Sequence, residues 1–148
     1  MKRDERRRIR TSKQHGKLYT ELKGILVQEF HELFFLSACV GYRNDCATPL
    51  GKSGEERFWS DTITPEEWNA YYAMILARND MEFAAIQDDR SVIAKIEEYA
   101  HGGMLYLIEN ELSGYLVEKD GEYAVDKTVA RDLPRRVMQY IFETVSNG

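Results

Sequence analysis

LFFLSACV, residues 33–40, decides how this chain folds. Eight consecutive helical residues make more than two turns, so their side chains point in every direction. Here nearly all of them are apolar. A helix that is apolar on every side needs neighbours on every side, which makes this the central helix. Upstream, Leu18, Leu22, Ile25, Leu26, Phe30, Leu33 and Phe34 recur at three- and four-residue steps, the helical period. Gly24 interrupts the pattern and divides it into two expected helices. Gly41 reads as the C-terminal stop of the second.

Further along, Thr64, Pro65, Glu66 and Glu67 form a strong helix start: a capping hydroxyl, a proline in the first turn and two carboxylates at the positive end of the dipole. Trp68, Tyr71, Tyr72, Ile75 and Leu76 supply its apolar face. Residues 80–87 read as a short helical turn. Asp89 or Ser91 caps a helix bearing Val92, Ile93, Ile96, Tyr99 and Ala100, which Gly102 and Gly103 end or kink. Met104 to Leu112 continue as a further helix. Residues 115–125, YLVEKDGEYAV, place two short apolar pieces around Asp120-Gly121, a hairpin signal. The last helix carries Val129, Leu133, Val137, Met138, Ile141, Phe142 and Val145, with Asp132 as its cap.

The expected fold is therefore mainly all-α: a compact bundle of about five or six helices with one small β-hairpin near 115–125. Residues 1–15 lack apolar periodicity and are expected to be a basic flexible arm, and residues 16–148 a single helical domain. No core pattern starts before Leu18, so deleting residues 1–13 is expected to leave the fold intact. Residues 41–63 are expected to form a long connection, pinned at its end by Phe58 and Trp59. Loops of that length often carry function.

The 148 residues suit one domain, and 43% hydrophobic with 30% charged residues is a globular composition. No apolar run approaches the roughly 20 residues of a membrane span. The opening MKRDERRRIR is charged and unlike a secretory signal. With only Cys39 and Cys46, these features point to a reducing cytoplasm. The net charge of -5 hides an asymmetry. Residues 1–17 hold eight Lys/Arg against Asp4 and Glu5, a net +6, while residues 18–148 hold 12 basic and 23 acidic residues, a net -11. Arg3, Arg6, Arg7, Arg8, Arg10 and Lys13 are thus candidate contacts to nucleic acid or to an acidic protein face. The competing reading is a solvated terminus.

Motifs of catalysis are incomplete. His31-Glu32 begins a zinc-protease motif, but position 35 is Phe35 and not histidine. Gly51-Lys52-Ser53 resembles the end of a phosphate loop, but position 46 is Cys46 and a helix precedes it. Cys39 and Cys46 lack a second pair for structural zinc. The carboxylates Asp88, Asp89, Glu97, Glu98, Glu109 and Glu111 read as solvated helix faces. No catalytic residue, metal site or cofactor is therefore expected.

Three stretches, LFFLSACVGY, the following TPL and later IEEYAHGGMLYLIENEL, resemble the small phosphorothioation-associated proteins encoded beside Dnd-type DNA sulfur-modification clusters. Ser37, Ala38, Gly41, Tyr42, Pro49 and Leu50 carry the first part, and Glu98, Tyr99, Ala100, Gly102 and Gly103 the second. His101 stands where that pattern has asparagine, and the loop around Asp45 and Cys46 is less basic than in the pattern. The resemblance implies a non-catalytic accessory subunit of a bacterial anti-phage defence complex. Such a subunit would bridge a larger ATPase or nuclease and touch DNA weakly, without a membrane role. Tyr42, Arg43, Pro49, Lys52 and Arg57 are the expected partner-binding positions of the 41–63 connection. A small nucleic-acid-binding regulator using the basic arm is the alternative, disfavoured by the acidic body. A hydrolase assembled from scattered carboxylates is the third reading, and it lacks a His, Cys or Lys cluster.

Overall fold

A computed structural model describes residues 6–146. Its elements in chain order are β1 (Arg8–Ser12), α1 (Gly16–Leu22), α2 (Phe30–Arg43), β2 (Gly54–Trp59), α3 (Pro65–Ala77), α4 (Asp89–Tyr106), β3 (Leu116–Lys119), β4 (Glu122–Val125) and α5 (Leu133–Ser146). The mainly helical expectation holds in its coarse form: five α-helices with two small antiparallel sheets. No helix among the described residues is long and apolar enough to cross a membrane.

Gly24 divides α1 from α2 as the pattern implied, and it does so with φ +100°. Only glycine adopts that conformation without steric cost. The Glu32 carboxylate then opens α2 by accepting the backbone N–H groups of Gln28 at 3.1 Å and Glu29 at 2.9 Å. Leu33, Phe34, Ala38 and Val40 of α2 lie in the core with Ile96, Tyr99, Ala100 and Met104 of α4. These two helices form the most extensively packed pair in the molecule.

Two glycine assignments are corrected here. Gly41 does not stop α2, which runs on to Arg43, and Gly102 and Gly103 lie inside an unbroken α4. A Cβ on Gly41 would meet the Tyr99 carbonyl oxygen at 2.0 Å, one on Gly102 the Cys46 carbonyl oxygen at 1.7 Å, and one on Gly103 the Ser37 carbonyl oxygen at 1.6 Å. These glycines remove side chains so that two backbones can touch, which sequence alone does not distinguish from helix ends. Beyond α4 the chain continues as a π-helical turn, Leu107–Glu111, and not as a separate helix.

The flexible-arm expectation is also corrected for the residues described. Arg8–Ser12 pairs antiparallel with Gly54–Trp59, Ile9 facing Phe58 and Ser12 facing Gly54. Ile9 is fully buried, as are Thr11, Ser12 and His15 to within a few per cent. One isoleucine among arginines gives no visible period, and its partner strand lies more than forty residues away. The same pairing turns the second half of the expected 41–63 connection into a strand. Phe58 does anchor it, with its ring 5.3 Å from that of Phe34 in an edge-to-face contact. Trp59 faces outward.

The hairpin β3–β4 forms where expected, with Asp120 at φ 54° and Gly121 at φ 79°, the two positive values of a type I′ turn. It is held to α1 by Glu21, whose carboxylate accepts the Val125 N–H at 3.1 Å and pairs with Lys127. In α3, Thr64 and Glu67 satisfy each other's backbone N–H groups at 2.9 and 3.1 Å, the expected cap. Helix α5 buries Leu133, Val137 and Tyr140 but leaves Met138, Phe142 and Val145 exposed.

Candidate nucleic-acid interface

The β1–β2 pair turns the charged opening of the chain into a positioned set of side chains. A bulge sits between the Ile9–Phe58 and Arg10–Glu56 pairs, leaving Arg57 as the extra residue on β2. Arg57 folds back along the sheet. Its Nε donates to Thr11 Oγ1 at 2.8 Å and its Nη2 to Glu55 at 2.6 Å. Expected as a partner contact, Arg57 is instead spent inside the molecule.

Arg6, Arg7, Arg8 and Arg10 line one open cleft of about 460 Å³ together with Glu56 and Trp59 of β2. The opposite wall is α4, which contributes Arg90, Ile93, Ala94 and Glu97. Positions i, i+3, i+4 and i+7 form one helix face. Five arginines thus meet two carboxylates in one concavity. The guanidinium carbons of Arg6 and Arg8 stand 4.1 and 4.7 Å from the Trp59 ring centre, cation–π contacts that hold both side chains over the indole. Arg6 also pairs with Asp61 at 2.8 Å, and Arg8 lies 3.5 Å from Glu56. The Arg7 backbone is fixed to Ser60, donating to its Oγ at 2.9 Å and accepting its N–H at 2.8 Å. The Arg10 guanidinium donates to the Gly54 carbonyl at 3.1 Å.

Glu97 ties the two walls together. Its carboxylate accepts the Arg10 backbone N–H at 2.7 Å. Burial pushes its carboxyl up to about 7 from an ordinary 4.5, against the opposing pull of that hydrogen bond and the Arg10 charge. Reading Glu97 as part of a solvated helix face is therefore corrected. Its neighbour Glu98 is half-buried too, with Lys95 at 3.5 Å.

The remaining candidate residues scatter. Arg3 lies outside the described residues. Lys13 is exposed in a short 3₁₀ turn and does not line the cleft. Tyr42 and Arg43 belong to the last turn of α2. The Tyr42 ring packs edge-on against Tyr99 at 5.7 Å and under the Arg78 guanidinium at 4.5 Å, so it is an internal contact and not a free binding position. Arg43, Pro49 and Lys52 are exposed. Sequence reasoning missed Trp59, Arg90 and Glu97 as members of a site. Only the helical spacing from Arg90 to Glu97 carried a signal, and nothing in it named the facing strand.

Elsewhere the reactive residue types are engaged or unactivated. His31 Nδ1 lies 2.9 Å from the Glu67 carboxylate that caps α3. Cys39 sits two turns beyond His31 on the same helix, about 12 Å away by the rise per residue. Burial pushes the Cys39 thiol up to about 11 and raises that of Cys46, so both remain thiols at neutral pH. Among the described residues no three His, Cys, Asp or Glu side chains are grouped to hold a metal ion. No family model, curated protein sequence or solved structure matches the chain.

Proposed function

We propose that this chain is a non-catalytic binding subunit that holds nucleic acid in the arginine cleft, as an accessory to a larger bacterial defence assembly. The observation that carries the reading is the convergence of five guanidiniums, four from the chain's opening and one from α4, in one cleft of an otherwise acidic protein. Arginine forks match phosphate oxygens, and stacking on Trp59 holds two of them in position before a ligand arrives. The thiols and His31 offer no activated nucleophile–base pair, which supports binding over catalysis. The defence assembly and its ATPase or nuclease partner come from the resemblance. Of the residues that carry it, Ser37, Gly41, Tyr99 and Gly103 build the α2–α4 contact and Gly102 seats the Cys46 backbone beyond α2, so they are scaffold positions.

A salt titration of labelled oligonucleotide binding tests the reading. Removing an arginine that neutralises one phosphate lowers the log–log salt slope by about 0.9 for duplex DNA and about 0.7 for a single strand. Arg90→Ala and Arg8→Ala are each expected to reduce the slope by that amount, while Lys13→Ala, outside the cleft, leaves it unchanged. Equal effects of all three would reduce the cleft to diffuse surface charge and overturn the assignment. The purified chain is also expected to hydrolyse neither ATP nor DNA with added Mg²⁺, Mn²⁺ or Zn²⁺. Turnover that a single carboxylate change abolishes would make it an enzyme.

A further inference from the structure

Resting on the nucleic-acid reading above, we propose that the cleft accepts an unpaired nucleotide of a single strand, whose phosphates draw Arg8 off the indole to join Arg10 and Arg90 and whose base takes the guanidinium's place on Trp59. Three features of the cleft favour this over a duplex or a bare polyanion.

The first is shape. The site is a shallow, open groove between the β1–β2 pair and α4. The bases of a duplex are paired and stacked inside it, so none reaches the groove's indole without being unpaired. A flexible single strand can follow the groove and turn one base to its wall.

The second is lining. A cradle for phosphate alone needs donors and positive charge. This cleft also holds the 37% exposed indole of Trp59, the apolar Ile93 and Ala94, and two carboxylates. An aromatic platform beside a cationic track is how unpaired bases are held without sequence preference. Glu56 and Glu97 repel phosphate but supply acceptors for the exocyclic amino groups of adenine, cytosine and guanine.

The third is the field of the whole molecule. Residues 18–148 carry a net -11. A duplex brings one negative charge per ~1.7 Å of axis and a single strand about half that density. The acidic body therefore penalises the duplex more.

The test uses the full chain at moderate salt with three probes: a fluorescent mixed-sequence single strand, its duplex, and inorganic polyphosphate as competitor. The single strand is expected to bind at least tenfold more tightly than the duplex. Trp59→Ala should weaken single-strand binding between about fivefold and about a hundredfold, the range for losing one stacked base. It should weaken polyphosphate binding clearly less than single-strand binding, because only the positioning of Arg6 and Arg8 is then lost and no stacked base, and Trp59→Phe should retain most single-strand affinity. Thermal unfolding of both variants shows whether the β1–β2 pair survives. If it fails in Trp59→Ala, then Trp59→Phe and single-strand quenching of indole fluorescence decide. Duplex binding as tight as the single strand, or equal loss of polyphosphate affinity, would overturn the stacking site and leave the arginine cleft standing. If none of the three probes binds, both readings fall.

Discussion

Gly103 of α4 lies so close to Ser37 of α2 that a single added carbon would sit 1.6 Å from the Ser37 carbonyl oxygen. The neighbour is backbone and cannot swing aside. Alanine is worth about 1 kcal/mol over glycine inside an exposed helix. Here the overpacking cost, typically 1–3 kcal/mol, is expected to exceed that gain because two helix backbones must separate. Gly103→Ala should lower the midpoint of chemical denaturation. Gly114→Ala, where no atom lies within 4 Å of the new carbon, should shift stability by no more than about 0.5 kcal/mol. Equal midpoints for the two variants would show that α2 and α4 do not cross this closely.

The chain's opening carries core weight. Ile9 is fully buried opposite Phe58. Ile9→Ala is expected to cost roughly 2–5 kcal/mol. Deleting residues 1–13 removes the whole of β1, leaves β2 an unpaired edge and strips Glu97 of its N–H donor, so cooperative unfolding should weaken or vanish. A deletion variant with an unchanged melting curve would return these residues to the status of a loose arm.

Phe34 touches Phe58 and Tyr71 edge-to-face at 5.3 and 6.2 Å and has no exposed surface. Phe34→Ala is expected to cost roughly 3–5 kcal/mol. A loss below about 1 kcal/mol by urea denaturation would mean the site collapses around the missing ring, or that this face is not core.

A buried histidine and a half-buried glutamate give the stability opposite pH dependences. Burial, with the His101 and Arg57 charges, holds His15 down at about 4 from an ordinary 6.5. Its unfolded form binds the proton first, so its contribution is complete above 6.5 and is lost as pH falls toward 4. Glu97 is held up at about 7, so its contribution is complete below 4.5 and is lost as pH rises through 7. Relative to the wild type, Glu97→Gln should therefore gain stability between pH 4.5 and 7, by at most about 3 kcal/mol. His15→Gln should gain as pH falls from 6.5 to 4. Denaturation curves at several pH values check both signs. Differences that stay constant with pH would show that neither group is shifted by the fold.

Local chemistry was enough for much of this architecture. Thr64 through Glu67 is a complete helix start by itself, because a capping box is satisfied within one turn. Asp120-Gly121 sets its hairpin because few residues tolerate two positive φ values in succession. The continuous apolar run at 33–40 put α2 in the core, where Leu33, Phe34, Ala38 and Val40 are buried, although Phe35, Leu36 and Cys39 are only partly covered and the helix is not enclosed on every side. The tertiary structure alone decided the rest. Whether Gly41, Gly102 and Gly103 end helices or make room for another backbone depends on that backbone, and a glycine looks the same in both roles. Whether Arg8–Ser12 is an arm or a strand depends on Gly54–Trp59, because a strand's hydrogen bonds are made to a segment distant in sequence. The cleft follows from that pairing. Arg8, Trp59 and Glu97 are separated by dozens of residues along the chain, and only the docking of β1 between β2 and α4 brings them to one place.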